Sequence, residues 1–180
     1  WKLEAGRVGT DTASIHNRLI RFQCMMELLG QPVFPHARSL CRKYWDTILD
    51  KITPFSGTVK LFQNLKAKNI RIGIGTDMTA YVQYRKLEVL GLSPYIDMVI
   101  TSEEAGVEKP HPKFFGLCVE KAGCPAEECA FIGDSLEKDV EGAIASGLHG
   151  IWYTMGKEPE QDMPFPVIRS FEDCKYFTEL

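Results

Sequence analysis

The spacing of apolar positions changes once along the chain, and the change divides it in two. Over residues 10–29, Ile15, Leu19, Phe22, Met26 and Leu29 recur at helical spacing, with Thr10, Asp11 and Thr12 as N-cap oxygens and Gly30 as the stop. A second helix is predicted over 35–49, with Leu40, Tyr44, Ile48 and Leu49 on its apolar face. No strand separates the two, so residues 1–53 read as an αα-hairpin segregated at one end, part of a helical cap. Thr53-Pro54-Phe55-Ser56-Gly57 is its exit linker. After Gly57 short apolar runs alternate with amphipathic stretches. The prediction is helix 59–68, strand 70–75, helix 79–90 closed by Gly91, strand 97–101 and helix 112–122, then strand 129–133, helix 136–145 and strand 149–153. A last short strand is expected at 167–169 before a terminal helix near Phe171, and the Pro- and Glu-rich tract 156–166 reads as a surface loop. Such alternation builds right-handed βαβ units, so residues 54–180 are expected to form a doubly wound α/β core with a parallel sheet.

Ligands of open parallel sheets bind at the carboxyl ends of strands, and three predicted strand ends carry polar groups. The first is Cys129-Ala130-Phe131-Ile132-Gly133-Asp134-Ser135, where Gly133 breaks an apolar run and Asp134 falls between strand and helix. Asp139 lies one helical turn in and can point back to the same spot. Two converging carboxylates repel unless a cation joins them, and oxygen ligands that leave room for water and a phosphate oxygen suit Mg²⁺. Alternatively, Asp134 or Ser135 only caps the helix. The second strand end is Gly75-Thr76-Asp77, where a hydroxyl and exposed amides at a helix start suit a phosphate oxygen. An ordinary N-cap at Thr76 or Asp77 is the competing account. The third is Glu108-Lys109-Pro110-His111-Pro112, where two prolines beside one lysine hold the backbone extended and aim the ammonium. Beside a carboxylate cluster it could neutralise a phosphoryl group; otherwise it is a solvated loop lysine.

Composition narrows the range without choosing a chemistry. A length of 180 residues suits one domain of ordinary size, or a domain with a small appendage. The formal net charge of −3 gives no electrostatic reason to expect nucleic acid or an anionic membrane, and no apolar run is long enough to span a bilayer. Cys24, Cys41, Cys118, Cys124, Cys129 and Cys174 show neither a CxxC pair nor zinc-ligand spacing, so free thiols in a reducing cytoplasm are expected. His16, His36, His111 and His149 share no metal spacing. Arg7, Arg18 and Arg21 lie on or beside the first helix, where they form a solvated face or meet an anionic substrate.

The strand-end Thr76, the Lys109 before proline and the Gly-Asp-Ser-x-x-x-Asp of 133–139 resemble, in order and spacing, the second, third and fourth motifs of the haloacid dehalogenase-like superfamily. Lys86-Leu87-Glu88-Val89-Leu90-Gly91-Leu92, Ser102-Glu103-Glu104 and Gly106-Val107-Glu108-Lys109-Pro110 resemble its phosphatase branch with a helical cap. The resemblance implies Mg²⁺-dependent transfer of a phosphoryl group from a small phosphorylated metabolite to water through an aspartyl-phosphate. Thr76 would bind phosphoryl oxygens and Lys109 would neutralise nucleophile and phosphate. Asp134 and Asp139 would hold Mg²⁺, while Asp77 and Ser135 would lend backbone or outer contacts. Haloacid dehalogenation is the second enzymatic possibility, disfavoured because it needs no metal. A non-catalytic module that binds phosphate or Mg²⁺ is the third. The resemblance breaks at one point: the family's first motif, an Asp-x-Asp ending the first strand, has no counterpart in these residues. The chain opens on Trp1, and the expectation is of a longer protein whose preceding strand carries that motif at the centre of the sheet.

Overall fold

The computed structural model describes residues 13–159 and 161–172, a mixed α/β chain with parallel strands and seven α-helices among them. The first helix does not run unbroken as expected. A 3₁₀ turn, Ala13–His16, is followed by α1, Arg18–Leu28, because Asn17 caps it: its Oδ1 accepts from the Leu19 and Ile20 amides at 3.0 and 3.3 Å. The expected caps Thr10, Asp11 and Thr12 lie outside the described residues. Gly30, at φ +61°, ends the helix in the left-handed region as predicted. Helix α2 spans His36–Leu49 and buries Ala37, Trp45 and Leu49; Leu40, Tyr44 and Ile48 are only half-buried. The two pack as a hairpin, with Phe22 edge-on to Tyr44 and Tyr44 edge-on to Trp45.

The chain forms two compact units. One takes the residues through Thr53 together with Thr76–Ser93 and Thr101–Glu108; the other takes Pro54–Gly75, Pro94–Ile100 and everything from Lys109. In the first, α4 (Ala80–Val89) follows Thr79, and a short helix, α5 (Ser102–Ala105), stands where none was expected. The Glu103 carboxylate of α5 accepts from the Ala80 amide at 2.8 Å, a cap that the Thr79 side chain does not supply. Thr76 and Asp77 are therefore not the caps of α4.

In the second unit, α3 (Thr58–Ala67) places Leu61 against Ile151, Tyr153 and Ile168, with Phe62, Leu65, Ile132 and Phe171 around them. This core backs a parallel sheet of β3 (Ala130–Gly133), β4 (His149–Tyr153) and β5 (Val167–Ile168), with Ile132 opposite Ile151 and Tyr153 opposite Ile168. Helix α6, Pro112–Ala122, buries Phe114 and Phe115 completely. Strands β1 (Gly73–Thr76) and β2 (Met98–Thr101) pair in a separate two-stranded sheet, so the described strands form two sheets rather than one. Both begin later than predicted because Asp97 intervenes. Its carboxylate takes the Ile72 amide at 2.7 Å and the Lys66 ammonium at 2.6 Å, so the Ile72 amide is bonded to a side chain while its carbonyl accepts from the Asp97 amide at 2.9 Å. The Lys66 hydrogen bond, helped by the Ile72 amide, holds the Asp97 carboxyl below its usual range. The expected terminal helix falls largely on residues outside those described, and 156–159 and 161–166 carry no helix or strand.

Candidate active site at the end of the third strand

The predicted helix 136–145 is where local structure departs most usefully from expectation. It opens as a π-helical turn, Leu136–Glu141, and becomes α-helical only at α7, Gly142–Ala145. Ser135 caps the turn: its hydroxyl accepts from the Lys138 amide at 3.3 Å, and its carbonyl accepts from the amides of Asp139 and Val140. Single π-turns of this kind widen a helix and recur at functional sites. Here the widened turn folds the Asp139 side chain back over the strand end, where it is 5 % exposed.

Only glycine lets it do so. A Cβ on Gly133 would fall 2.3 Å from Cβ and Oδ2 of Asp139, well inside contact distance. Gly133 was expected merely to end the strand; its deeper role is clearance for a carboxylate. The signal was present, in a glycine six residues before an aspartate across a turn, but which side chain needs the space is a three-dimensional fact.

The Asp139 carboxylate is held from both sides. Oδ2 accepts from the Ser135 amide at 3.1 Å and Oδ1 from the Lys109 ammonium at 2.6 Å. Lys109 is no solvated loop lysine, since its side chain is 11 % exposed, and its ammonium also lies over the rings of Phe131 and Phe114, 5.4 and 5.8 Å from their centroids. A cation against aromatic faces and a buried carboxylate is fixed in place by both. The Lys109–Pro110 peptide is cis, a departure from the simple extended segment expected.

Asp134 follows β3 and is exposed, its carbonyl accepting from the Trp152 indole at 3.2 Å. Thr76, the last residue of β1, and Asp77 are half-buried. The structure thus brings Lys109, Asp139 and Ser135 into direct contact in the second unit, with Asp134 beside Ser135 in the chain; Thr76 and Asp77 belong to the first. Among the described residues no three His, Cys, Asp or Glu side chains gather as a metal cage. The donor set at this strand end, carboxylates of Asp134 and Asp139, is the hard-oxygen type Mg²⁺ takes, and each Asp139 oxygen keeps a lone pair beyond its one described hydrogen bond. Cys118 is no rival nucleophile: burial pushes its thiol up to about 12 against the pull of Lys109, so it stays protonated at neutral pH.

Sequence reading missed one contact nearby in the chain, His16 Nε2 to Glu108 Oε1 at 3.0 Å within the first unit. Neither residue belongs to a motif with a fixed partner spacing.

Residues 24–147 match the haloacid dehalogenase-like hydrolase family. The chain is 35 % identical over 150 residues to a ribulose-1,5-bisphosphate 5-phosphatase of Halopiger xanaduensis, an alignment covering 83 % of this chain and 63 % of that protein. It is 36 % identical over 111 residues to a glyceraldehyde 3-phosphate phosphatase of Methanocaldococcus jannaschii, covering 62 % of this chain and 49 % of the relative. The chain therefore spans about half to two thirds of the length of these relatives. Among solved structures it is similar to the HAD-hydrolase YfnB of Bacillus subtilis bound to magnesium, with a TM-score of 0.70 and 25 % identity over 91 % of this chain and 71 % of that one. The likeness fits the expected Rossmann-like α/β core with a helical cap.

Proposed function

The chain belongs to the haloacid dehalogenase-like hydrolases, and from that premise we propose that it carries most of the site of a Mg²⁺-dependent phosphatase acting on small phosphorylated metabolites. The observation that carries the reading is the buried Lys109–Asp139 pair, with the exposed Asp134 just after β3 in the chain. Such a pair is costly unless the charge has a use or full compensation, and here both oxygens of the carboxylate are compensated.

In this reading Asp134 and Asp139 hold Mg²⁺. The ion, when bound, supplies positive charge against the phosphoryl oxygens. Lys109, already fixed, holds its ammonium where a phosphoryl oxygen and an attacking carboxylate need neutralising. Thr76 offers its hydroxyl and the following amides, with Asp77, to the phosphoryl oxygens. The nucleophile is an aspartate of an Asp-x-Asp, whose carboxylate attacks phosphorus and expels the alcohol; water then hydrolyses the aspartyl-phosphate. None of the 180 residues fits that role, and the break between the β1–β2 and β3–β4–β5 sheets supports a further strand bearing it. Residues 1–53 are proposed as part of the cap and 54–180 as core; the division after Thr53 supports that boundary, although Thr76–Ser93 and Thr101–Glu108 group with the first unit. The sugar-phosphate names of the two relatives support a phosphorylated sugar or similar metabolite as substrate. Free thiols at Cys24, Cys41, Cys118, Cys124 and Cys129 support a reducing compartment such as the cytoplasm, and among the described residues no helix is long and apolar enough to cross a membrane.

The test is a screen of phosphorylated sugars and related esters against the full-length protein with Mg²⁺, paired with Mg²⁺ titration of the parent and Asp134→Asn. Turnover that needs Mg²⁺, and a variant that no longer binds it, are expected. An Asn variant that binds Mg²⁺ as well as the parent would remove Asp134 from the site.

A further inference from the structure

The first unit contains a second concentration of positive charge, and among the described residues its contacts are aromatic. Arg18, the first residue of α1, donates from Nε to the Tyr44 hydroxyl at 3.3 Å, and its guanidinium lies 5.6 Å from the Tyr44 ring centroid. Its Nη1 is shut off from solvent and has no hydrogen-bond acceptor among the described residues. From α4, Lys86 places its ammonium 5.5 Å from the Trp45 ring centroid, and Trp45 stacks edge-on against Tyr44 at 5.1 Å. Burial lowers the Lys86 pKa, with Tyr44 opposing it and the Arg18 charge adding to it. Two acidic residues of these helices serve another cation: Asp46 pairs with Arg85 at 2.8 Å, and Asp46 and Glu88 both act on Arg85.

Half-buried Arg18 on a phenol and half-buried Lys86 on an indole are linked through the Tyr44–Trp45 contact, and burial disfavours the Lys86 charge. A buried guanidinium N–H with no acceptor adds the cost of an unmade hydrogen bond. Each of these costs is relieved by one kind of ligand, an oxyanion with acceptors for a guanidinium, an ammonium and a hydroxyl. Arg in particular matches the paired oxygens of carboxylate and phosphate. We infer that Arg18, Lys86 and Tyr44 form an anion-binding site in the first unit, taking a phosphate or carboxylate group. This site goes beyond the phosphatase reading and stands without it; only the question of whether the anion belongs to the substrate rests on that reading.

The experiment follows the Lys86 side chain by NMR in the full-length protein, titrating pH with and without inorganic phosphate. Lys109→Met serves as the background, so that phosphate at the strand end of the second unit does not contribute. Phosphate is expected to raise the Lys86 pKa, and Arg18→Gln to raise the phosphate concentration required by about tenfold or more. Arg18→Lys, which keeps the charge but not the fork, should fall between. Retained thermal unfolding in each variant separates lost binding from lost fold. A Lys86 titration that ignores saturating phosphate overturns the site, whatever the enzyme turns over. The source of the anion is then read from kcat/KM in the parent and in Lys86→Met, for an ester with a second phosphate and for p-nitrophenyl phosphate. A selective loss of about tenfold on the former assigns the site to the substrate's second anion. Equal values on both assign it to a free anion.

Discussion

Lys109 and Lys86 are both lysines withdrawn from water over aromatic rings, and the fold treats them in opposite ways. Lys109 meets a buried carboxylate at 2.6 Å, whose other oxygen is held by a backbone amide. Lys86 meets an indole face, and burial, with a smaller effect of the Arg18 charge, lowers its pKa below the usual lysine value. Aromatic faces alone stabilise a cation by about 0.5–2 kcal/mol, less than burial costs it. The difference teaches that a buried lysine with a carboxylate is a finished structural charge that can be used in place. Lys86, with no carboxylate beside it among the described residues, is the charge the proposed anion would complete.

The largest effect expected concerns the completeness of the strand-end machinery. Residues 1–180 alone should show no phosphatase turnover, and the same residues preceded by a strand ending in Asp-x-Asp should show it, together with a sharper thermal unfolding. Full turnover from the shorter chain would place the nucleophile elsewhere.

Next comes the pair itself. Lys109→Met leaves the Asp139 carboxylate buried beside apolar rings, and should cost about 3 kcal/mol or more in transition-state stabilisation as well as a comparable loss of folding stability. Steady-state kinetics and urea unfolding measure the two, and a variant that keeps most of its kcat/KM would return Lys109 to a structural role only.

Gly133→Ala sharpens the comparison without touching a charge. Its added methyl meets Asp139 at 2.3 Å, and displacement of the carboxylate should cost about 1–3 kcal/mol in stability, with weaker Mg²⁺ binding. A variant indistinguishable from the parent in both would show that the turn has more room than its geometry allows.

The smallest effect is the most diagnostic of the contrast. Because the Lys86 pKa is lowered in the folded state, the unfolded chain binds more protons between that lowered value and the ordinary one. The penalty is fully present below the lowered value and fades as pH rises through the window, so the Lys86 contribution makes stability rise with pH there. Lys86→Met should remove this rise and be no less stable than the parent at neutral pH. Urea unfolding of both proteins at neutral and alkaline pH measures it, and a variant clearly less stable at neutral pH would mean that Lys86 has a counter-charge after all.

The periodicity of apolar residues determined the elements, because the core faces of α3 and α6 and the short runs of β3 and β4 have no other way to leave water. Pro112–Ala122 and His149–Tyr153 coincide with their predictions, bounded as they are by proline and glycine signals that act locally. Lys109, Asp134 and Asp139 could be singled out because strand ends and aimed lysines leave marks in a linear chain. Tertiary structure alone decided what depends on distant partners. Asp97 shortened two strands by taking the Ile72 amide. Glu103 capped α4 in place of the residues before it. The clearance at Gly133, the π-turn that carries Asp139 back, and the contacts of Arg18 with Tyr44 and of Lys86 with Trp45 complete that set. Hydrogen bonds and charges act over a few ångströms of space, whereas sequence records only distance along the chain, and at these positions the two bear no fixed relation.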